Sequence, residues 1–329
     1  MINNILLYSI ISFFIFFLVS KISYQLNLVD VNNKRKIHFK PTAFTGGLAL
    51  SFIYIFSILL FDVVGEKINS ILPIAFLFGI IGFVDDTHNL KVNEKIVLQV
   101  CLIIFFIILK NFNLNQIGNY EYFTLELNSF AILFTLISII ILINSANYFD
   151  GLDGTLCFLM ISIIGILFFL TDNENTRLFL ITILIPLIFF LLFNFAKISL
   201  PKLFLGNSGS LLLGFILAFT LIYVENNNEI HPILIAWSIA IFVYEFLSIN
   251  LIRYNNKKKI FKPGLDHFHH LLLKRYKSLF LVNTLIVIIN IIFFIIGYLS
   301  FNFINPLASL ILFILSFIFF LVTRIKILK

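Results

Sequence analysis

Apolar stretches separated by short polar segments recur from one end of the chain to the other. Each is near the ~20 residues that an α-helix needs to cross the hydrocarbon core of a bilayer. The pattern therefore predicts an all-α fold, a polytopic transmembrane helical bundle of about 11 spans that forms one domain over residues 1–329. The predicted spans are residues 4–20, 44–61, 70–84, 96–109, 129–144, 156–171, 178–194, 209–224, 232–250, 280–299 and 304–323.

The polar segments fall into two sets that differ in charge. All of the 23 Lys and Arg residues except Lys67, Lys110 and Arg177 lie in one set, which we therefore expect to face the cytoplasm. The C-terminus is then cytoplasmic, and the N-terminus lies on the opposite side of the membrane. The predicted cytoplasmic segments are the loops 21–43, 85–95, 145–155, 195–208 and 251–279 and the tail 324–329.

Composition supports a membrane protein without a sizeable soluble domain. Hydrophobic residues make up 60% of the chain and charged residues 12%, whereas soluble domains have about 25% charged residues. The net charge of +7 then indicates membrane orientation and contact with anionic headgroups rather than nucleic-acid binding. The segment Met1–Ser20 has neither a basic start nor a cleavage site, which predicts a retained first helix.

The first two predicted cytoplasmic loops contain polar residues that membrane orientation does not explain. In the first loop Asp30, Asn33 and His38 accompany the basic run 34–36, although the run alone is typical of an orientation signal. In the second loop the adjacent pair Asp85-Asp86 directly follows an apolar run. Two neighbouring acids raise each other's pKa unless a cation neutralises them, which favours a Mg²⁺ ligand or a proton acceptor, with a helix cap as the alternative.

The third loop is the most strongly indicative of function. It reads Asn144-Ser-Ala-Asn147-Tyr-Phe-Asp150-Gly-Leu-Asp153-Gly. The two asparagines are one helical turn apart, and so are the two aspartates if the helix continues. This loop has no Lys or Arg, so a metal or another loop must neutralise its acids.

The fourth and fifth loops contain candidate phosphate-binding residues. Lys202 and Phe204 precede the Gly206–Ser210 stretch, whose N–H groups at a helix start suit a phosphate; a simple N-cap is the alternative. The fifth loop combines several lysines with His267, His269 and His270. Zinc binding is the weaker reading because no Cys or second His pair lies nearby, and a pyrophosphate site fits better.

Together the five loops resemble one family, the polyprenyl-phosphate N-acetylhexosamine-1-phosphate transferases, relatives of the phospho-N-acetylmuramoyl-pentapeptide transferase. The similarity runs from about Leu28 to Tyr276, with five motifs in the family's order and on one predicted membrane face. The His-x-His-His order is typical of the hexosamine branch.

The resemblance implies specific residue roles. The implied catalytic residues are Asp85, Asp86, Asp150, Asp153, His267, His269 and His270. The implied substrate-binding residues are Asn33, Arg35, Lys36, His38, Lys95, Asn144, Asn147, Lys202 and Phe204, with Phe204 where relatives stack the uracil ring. The implied ligands of Mg²⁺, or of Mn²⁺ as an alternative, are Asp85, Asp86 and Asn207. Gln99, Glu245 and Arg253 also fall at positions where the family has polar residues.

The chain departs from the family at several positions. Asn207 stands where relatives have a Mg²⁺-binding Asp, and a neutral amide oxygen should hold a hard dication less well. The Asp-Arg pair that usually precedes the histidines is displaced, with Leu265 and Asp266 in those positions. In the first loop Asn32, Ala43 and Phe44 replace common Pro, Pro and Arg.

The resemblance implies a transferase that moves a GlcNAc-type HexNAc-1-phosphate from a UDP-sugar to undecaprenyl or another polyprenyl phosphate and releases UMP. Such a step begins cell-surface polysaccharide synthesis, including lipopolysaccharide and cell-wall polymers. The expected partners are the UDP-sugar, the polyprenyl phosphate, membrane lipids and a second copy in a homodimer, with no nucleic acid. The resemblance also implies a bacterial inner membrane, with a periplasmic N-terminus and the five loops forming one active site that faces the cytoplasm.

Three other functions compete with this one. A non-catalytic or metal-impaired homologue would follow from Asn207. A lipid-linked sugar transporter would need charged residues near the midplane, whereas the acids lie at one predicted edge. A CDP-alcohol phosphotransferase would need an Asp-Gly-x-x-Ala-Arg signature, but Asp150-Gly151 continues as Leu152-Asp153.

Overall fold

The structure is a computed structural model, and it describes residues 2–30, 41–61, 66–197, 200–258 and 264–328. The predicted first-loop residues Asn33, Arg35, Lys36 and His38 lie outside the described residues.

The described residues form helices almost throughout, with two short two-stranded sheets. In chain order the elements of the first half are α1 Ile2–Gln25, β1 Val29–Asp30, β2 Thr42–Ala43, α2 Gly46–Leu60, α3 Glu66–Asn69, α4 Ile71–His88, α5 Val92–Lys110, β3 Gln116–Asn119, β4 Thr124–Glu126 and α6 Ala131–Phe149. Those of the second half are α7 Thr155–Leu170, α8 Glu174–Asn194, α9 Gly206–Asn226, α10 Pro232–Ser238, α11 Ala240–Asn255, α12 Phe268–Tyr276, α13 Leu279–Phe303 and α14 Pro306–Leu328.

These helices confirm the predicted all-α, multi-pass membrane fold. Within the described residues, eight helices are long and apolar enough to cross a membrane, and the bent pair α10–α11 could form a ninth span. The remaining two predicted spans correspond to the shorter apolar helices α2 and α7. Each predicted span thus coincides with a helical segment, while the number of crossings stays a prediction. The two small sheets were not predicted.

The chain divides into two compact units, each with its own helices. The first contains residues 1–102 and 174–216, and the second contains residues 103–173 and 217–329. The division falls inside α5 and α9. The prediction of one domain remains untested.

In the first unit, α1, α2, α4 and α8 pack together, and a proline shapes the contact. Pro186 lies inside α8 and has no N–H, so the carbonyl of Thr182 loses its helical partner. The buried hydroxyl of Tyr8 donates to that carbonyl at 3.1 Å, and Tyr54 donates to the next one, of Ile183, at 3.1 Å. The hydroxyl of Tyr8 therefore satisfies a carbonyl that a bilayer cannot, and Tyr54 adds a second bond between α2 and α8.

In the second unit, α10 and α11 meet at an angle of 71°. The break frees the carbonyl of Ser238, and the buried side chain of Asn290 donates to it at 3.0 Å. Gly297 of α13 leaves room for Trp237, since a Cβ at this position would collide with the indole ring. The indole N–H in turn donates to Ser309 of α14 at 3.0 Å. The bend is thus held by α13 and α14.

Candidate active site

In the first unit, the paired glycines at the start of α2 hold the chain that leads into α9. The N–H groups of Gly46 and Gly47 donate to the carbonyls of Phe204 and Leu205 at 2.9 and 2.8 Å. A Cβ on Gly47 would collide with the backbone of Gly209. Only glycine permits this close approach, which explains why two glycines open an otherwise apolar helix.

Asp86 caps the N-terminus of α9. Its carboxylate accepts the N–H of Asn207 at 3.1 Å and the N–H of Ser208 at 3.2 Å. We expected the Gly206–Ser210 stretch to present free N–H groups to a phosphate, and for these two groups that expectation is wrong. A helix start attracts the nearest anion, and here that anion is a carboxylate of α4.

Asp85 has a different partner from its neighbour. Its Oδ2 atom forms an ion pair with Lys95 Nζ at 2.8 Å, and both side chains are largely buried. Two adjacent acids are thereby neutralised separately, one by a lysine of α5 and the other by a helix dipole.

Gln99, one turn beyond Lys95, is buried, and neither atom of its amide has a partner among the described residues. Such an orphaned amide suits a ligand.

The oxygen atoms of this cluster fit a divalent cation that a substrate helps to hold. Among the described residues, no three His, Cys, Asp or Glu side chains form a group that could bind a metal ion. However, Mg²⁺ is usually held by one or two carboxylates together with substrate phosphates and water. Asp85, Asp86 and the adjacent Asn207 are compatible with that mode.

Lys202 and Phe204 lie in the segment just before α9. The Lys202 ammonium lies over the Phe204 ring, 5.2 Å from its centroid. The Tyr24 hydroxyl donates to the Lys202 carbonyl at 3.1 Å. The stacking role of Phe204 stays a prediction.

In the second unit, the third-loop motif forms a helix end followed by a turn. The helix does not continue beyond Phe149, because Asp150 takes a non-helical ψ of 40° and ends α6. Asp150 and Asp153 are therefore not one helical turn apart, as a continuing helix would have made them. The side chain of Asn283 holds the turn by donating to the Asp153 carbonyl at 2.9 Å and accepting from Thr155 at 2.6 Å.

The turn after α6 packs directly against the histidines. A Cβ on Gly151 would collide with Nε2 of His269 and lie 3.0 Å from Nε2 of His270. The ring of Tyr148, in the last turn of α6, lies 4.6 Å from that of His267. The third and fifth loops thus meet within this unit.

Burial keeps two of these histidines neutral. His269 is 0% exposed, and neither of its ring nitrogens has a partner among the described residues. Burial lowers its pKa well below the usual value, and the nearby histidines and Arg324 lower it further. Burial also lowers the pKa of His270 to about 4. At neutral pH both rings can offer a hydrogen bond but carry no charge.

Two ion pairs surround the histidine segment. The Arg253 guanidinium donates two hydrogen bonds to the Asp266 carboxylate, at 3.0 and 2.7 Å. Burial alone would raise the pKa of Asp266, but the hydrogen bonds and charge of Arg253 outweigh it and lower the pKa to about 2. The second pair joins Glu245 and Arg324. The sequence did not single out Arg324, because basic residues at the end of the last span are typical of an orientation signal.

The predicted site residues therefore form two groups, one in each unit. Asp85, Asp86, Lys95 and Asn207 lie together in the first. The turn after Asp150 and the three histidines lie together in the second. Asn144 donates to the Ile140 carbonyl of its own helix at 2.8 Å. The prediction that all five loops form one site stays a prediction, and so do the assigned roles.

Comparisons with known proteins agree with this residue pattern. The model of glycosyl transferase family 4 matches residues 68–225. The chain is 26% identical to an undecaprenyl-phosphate α-N-acetylglucosaminyl 1-phosphate transferase of Yersinia pestis, over 92% of this chain and 86% of that protein. It is 25% identical to the protein of the same description from Escherichia coli O157:H7, over 80% of this chain and 76% of that protein.

A relative from a second branch is also similar. The chain is 30% identical to the phospho-N-acetylmuramoyl-pentapeptide-transferase of Staphylococcus epidermidis, over 70% of this chain and 78% of that protein. The chain therefore belongs to glycosyl transferase family 4, the family of the polyprenyl-phosphate N-acetylhexosamine-1-phosphate transferases.

Proposed function

We propose that the chain transfers a GlcNAc-type HexNAc-1-phosphate from a UDP-sugar to undecaprenyl or another polyprenyl phosphate and releases UMP. The reaction would take place at the cytoplasmic face of the inner membrane and begin the synthesis of a cell-surface polysaccharide. Relatives named for undecaprenyl-phosphate and N-acetylglucosaminyl 1-phosphate support this acceptor and donor.

One observation carries the proposal. Asp85 and Asp86 are fixed at the end of α4 by two different partners, Lys95 and the start of α9. Carboxylate oxygens beside fixed positive charge suit a pyrophosphate that arrives with a divalent cation. A cluster that served only to cap a helix would need one acid, not two acids and a buried lysine.

The proposed reaction exchanges one phosphorus–oxygen bond for another. An oxygen of the lipid phosphate attacks the sugar-linked phosphorus of the UDP-sugar. The bond from that phosphorus to the oxygen bridging the two phosphates breaks, and the electron pair leaves with UMP. If the lipid phosphate arrives protonated, Asp85 or Asp86 accepts the proton. Positioning and charge neutralisation provide most of the catalysis in such transfers.

A cation would add charge neutralisation to this site. Asp85, Asp86 and Asn207 would hold Mg²⁺, which when bound withdraws charge from the phosphate oxygens. Lys95 would remain with Asp85 and keep its carboxylate oriented. Asn207 is a weaker ligand than the family's aspartate, so we expect a high Mg²⁺ requirement.

The residues of the second unit would bind phosphate oxygens. His269 and His270 are neutral at pH 7 because burial lowers their pKa. Each neutral ring can donate one hydrogen bond, and both nitrogens of His269 are available among the described residues. The turn after Asp150 packs against these rings and would set their orientation. Both groups of residues are proposed to serve the same reaction.

A direct test uses the purified protein in detergent with UDP-GlcNAc, undecaprenyl phosphate and Mg²⁺, with UMP release as the measurement. Asp85→Asn and Asp150→Asn should each abolish release, because each removes a charge that the reaction needs. Glu121→Gln, the same change of charge on the exposed β3–β4 turn, should leave the rate unchanged. A chelator should stop release and added Mg²⁺ should restore it.

The same assay separates the rival functions. Binding of UDP-GlcNAc without UMP release would support a non-catalytic homologue. Movement of a lipid-linked sugar across vesicles without UMP release would support a transporter. Near-full rates in both aspartate variants would show that the proposed site is wrong.

A further inference from the structure

Arg324 occupies a position that its place in the sequence does not explain. It lies near the end of α14, where a basic residue usually orients the last span. Such residues normally reach out to the headgroups, but Arg324 is only 1% exposed. Lys326, two residues further along, is exposed and has the position expected of an orientation signal.

The buried guanidinium joins three segments of the second unit. It forms an ion pair with the Glu245 carboxylate of α11 through both terminal nitrogens, with Nη2 at 3.0 Å from Oε1. It also donates to the Ser248 hydroxyl at 2.8 Å. A further bond at 2.9 Å runs to the backbone carbonyl of Asp266, directly before the first histidine.

Glu245 connects Arg324 to the histidine segment. Its Oε1 accepts the N–H of Phe268 at 3.2 Å, at the first residue of α12. The same oxygen lies 3.3 Å from Nδ1 of His267. One carboxylate thus fixes both the start of α12 and the ring that precedes it, while Arg324 fixes the carboxylate.

Charge makes this connection stronger than a set of ordinary hydrogen bonds. Glu245 is 0% exposed, and a buried carboxylate is costly without a charged partner. Arg253 cannot replace Arg324 as the charged partner of Glu245, because the Arg253 guanidinium is already bonded to Asp266. Removing Arg324 would leave the buried Glu245 carboxylate without this charged partner, so the carboxylate would lose the bonds that hold it beside His267 and the start of α12.

We infer that Arg324 is a positioning residue of the active site: it acts through Glu245 to hold His267 and the start of α12 in the geometry required for phosphate transfer. This inference rests on the proposed function for its kinetic consequences. Arg324 itself does not contact the substrate in this role.

Three single variants distinguish a positioning role of Arg324 from a simple contribution of positive charge. Arg324→Ala should lower kcat for UMP release by about 100-fold, the order expected when catalytic groups move by about 1 Å, with much less effect on KM for UDP-GlcNAc. Arg324→Lys should recover part of the rate, because an ammonium neutralises Glu245 but cannot bond both oxygens in the planar geometry of arginine. Lys326→Ala, which removes one exposed charge from the same helix, should behave as wild type.

A double variant separates positioning from stability. Glu245→Gln with Arg324→Met removes both charges while nearly conserving side-chain volume, and such replacements often restore stability. We expect thermal unfolding in detergent near the wild-type temperature but a kcat still far below wild type. A double variant with wild-type stability and wild-type kcat would overturn the inference.

Amide hydrogen exchange provides a measurement that does not depend on activity. In Arg324→Ala, exchange at residues 266–276 should become faster, while Lys326→Ala should leave it unchanged. Unchanged exchange in Arg324→Ala would also overturn the inference. If the wild-type protein releases no UMP, the proposed function fails, and exchange still decides whether Arg324 holds the histidine segment.

Discussion

At the scale of single residues, neighbours of the same type have different environments. Asp85 is paired with Lys95 and Asp86 with the start of α9, so the sequence neighbours have separate electrostatic partners. Gly151 and Gly165 likewise have different surroundings. A Cβ at Gly151 would meet His269, whereas a Cβ at Gly165, inside α7, would meet nothing within 4 Å.

Alanine substitutions at Gly151 and Gly165 should therefore have different effects. Gly151→Ala should displace His269 and lower the rate of UMP release severalfold or more, because the added methyl group occupies the space of the ring. Gly165→Ala should preserve the rate and raise stability by up to ~1 kcal/mol, the helix preference of alanine over glycine. Rates and thermal unfolding in detergent would check both, and equal effects of the two variants would contradict the packing described for Gly151.

At the scale of elements, several of the candidate site residues lie at helix ends. The aspartate pair lies in the last turn of α4, α9 begins at the residues that Asp86 caps, and α12 begins directly after His267. A helix end leaves backbone groups without helical partners, and side chains of α4 and α11 supply such partners at the starts of α9 and α12. Asp86 is therefore both a structural cap and a proposed catalytic residue.

The capping role of Asp86 can be separated from its proposed catalytic role. Asp86→Ala should lower the free energy of unfolding by about 1 kcal/mol, the usual cost of losing an N-cap, and also abolish UMP release. Asp86→Asn should retain more of the stability, since its amide oxygen can still accept one N–H, yet it should also be inactive. Thermal unfolding and the UMP assay measure the two effects, and equal stability losses in both variants would exclude the cap.

At the scale of the whole molecule, the proposed reaction depends on sidedness. Nearly all basic residues lie in alternate polar segments, which predicts that the aspartate pair and the histidine segment face the same side. The structure describes the two units separately, so sidedness is a prediction from charge alone.

Single cysteines test this prediction in a Cys101→Ser, Cys157→Ala background. Lys91→Cys and Lys274→Cys, at exposed positions near the aspartates and histidines, should react with a membrane-impermeant maleimide only after the cells are opened. Tyr122→Cys, on the exposed β3–β4 turn, should react in intact cells. Labelling of Lys91→Cys and Lys274→Cys from opposite faces would exclude one cytoplasmic site.

The sequence by itself determined the helical membrane fold, the position of each apolar segment and the family. Apolar length and basic-residue bias act locally along the chain, since burying a polar helix in a bilayer is costly whatever its neighbours are. The family pattern likewise depends on residue order. These properties needed no knowledge of which helices touch.

Only the tertiary structure decided which distant residues contact one another. The sequence could not indicate that Asp86 takes the N–H groups of α9, that Gly151 packs on His269, or that Arg324 pairs with Glu245. These partners are between 79 and 122 residues apart along the chain. The choice between a solvated charge and a buried ion pair depends on which helices pack together, because burial sets the cost of leaving a charge without a partner.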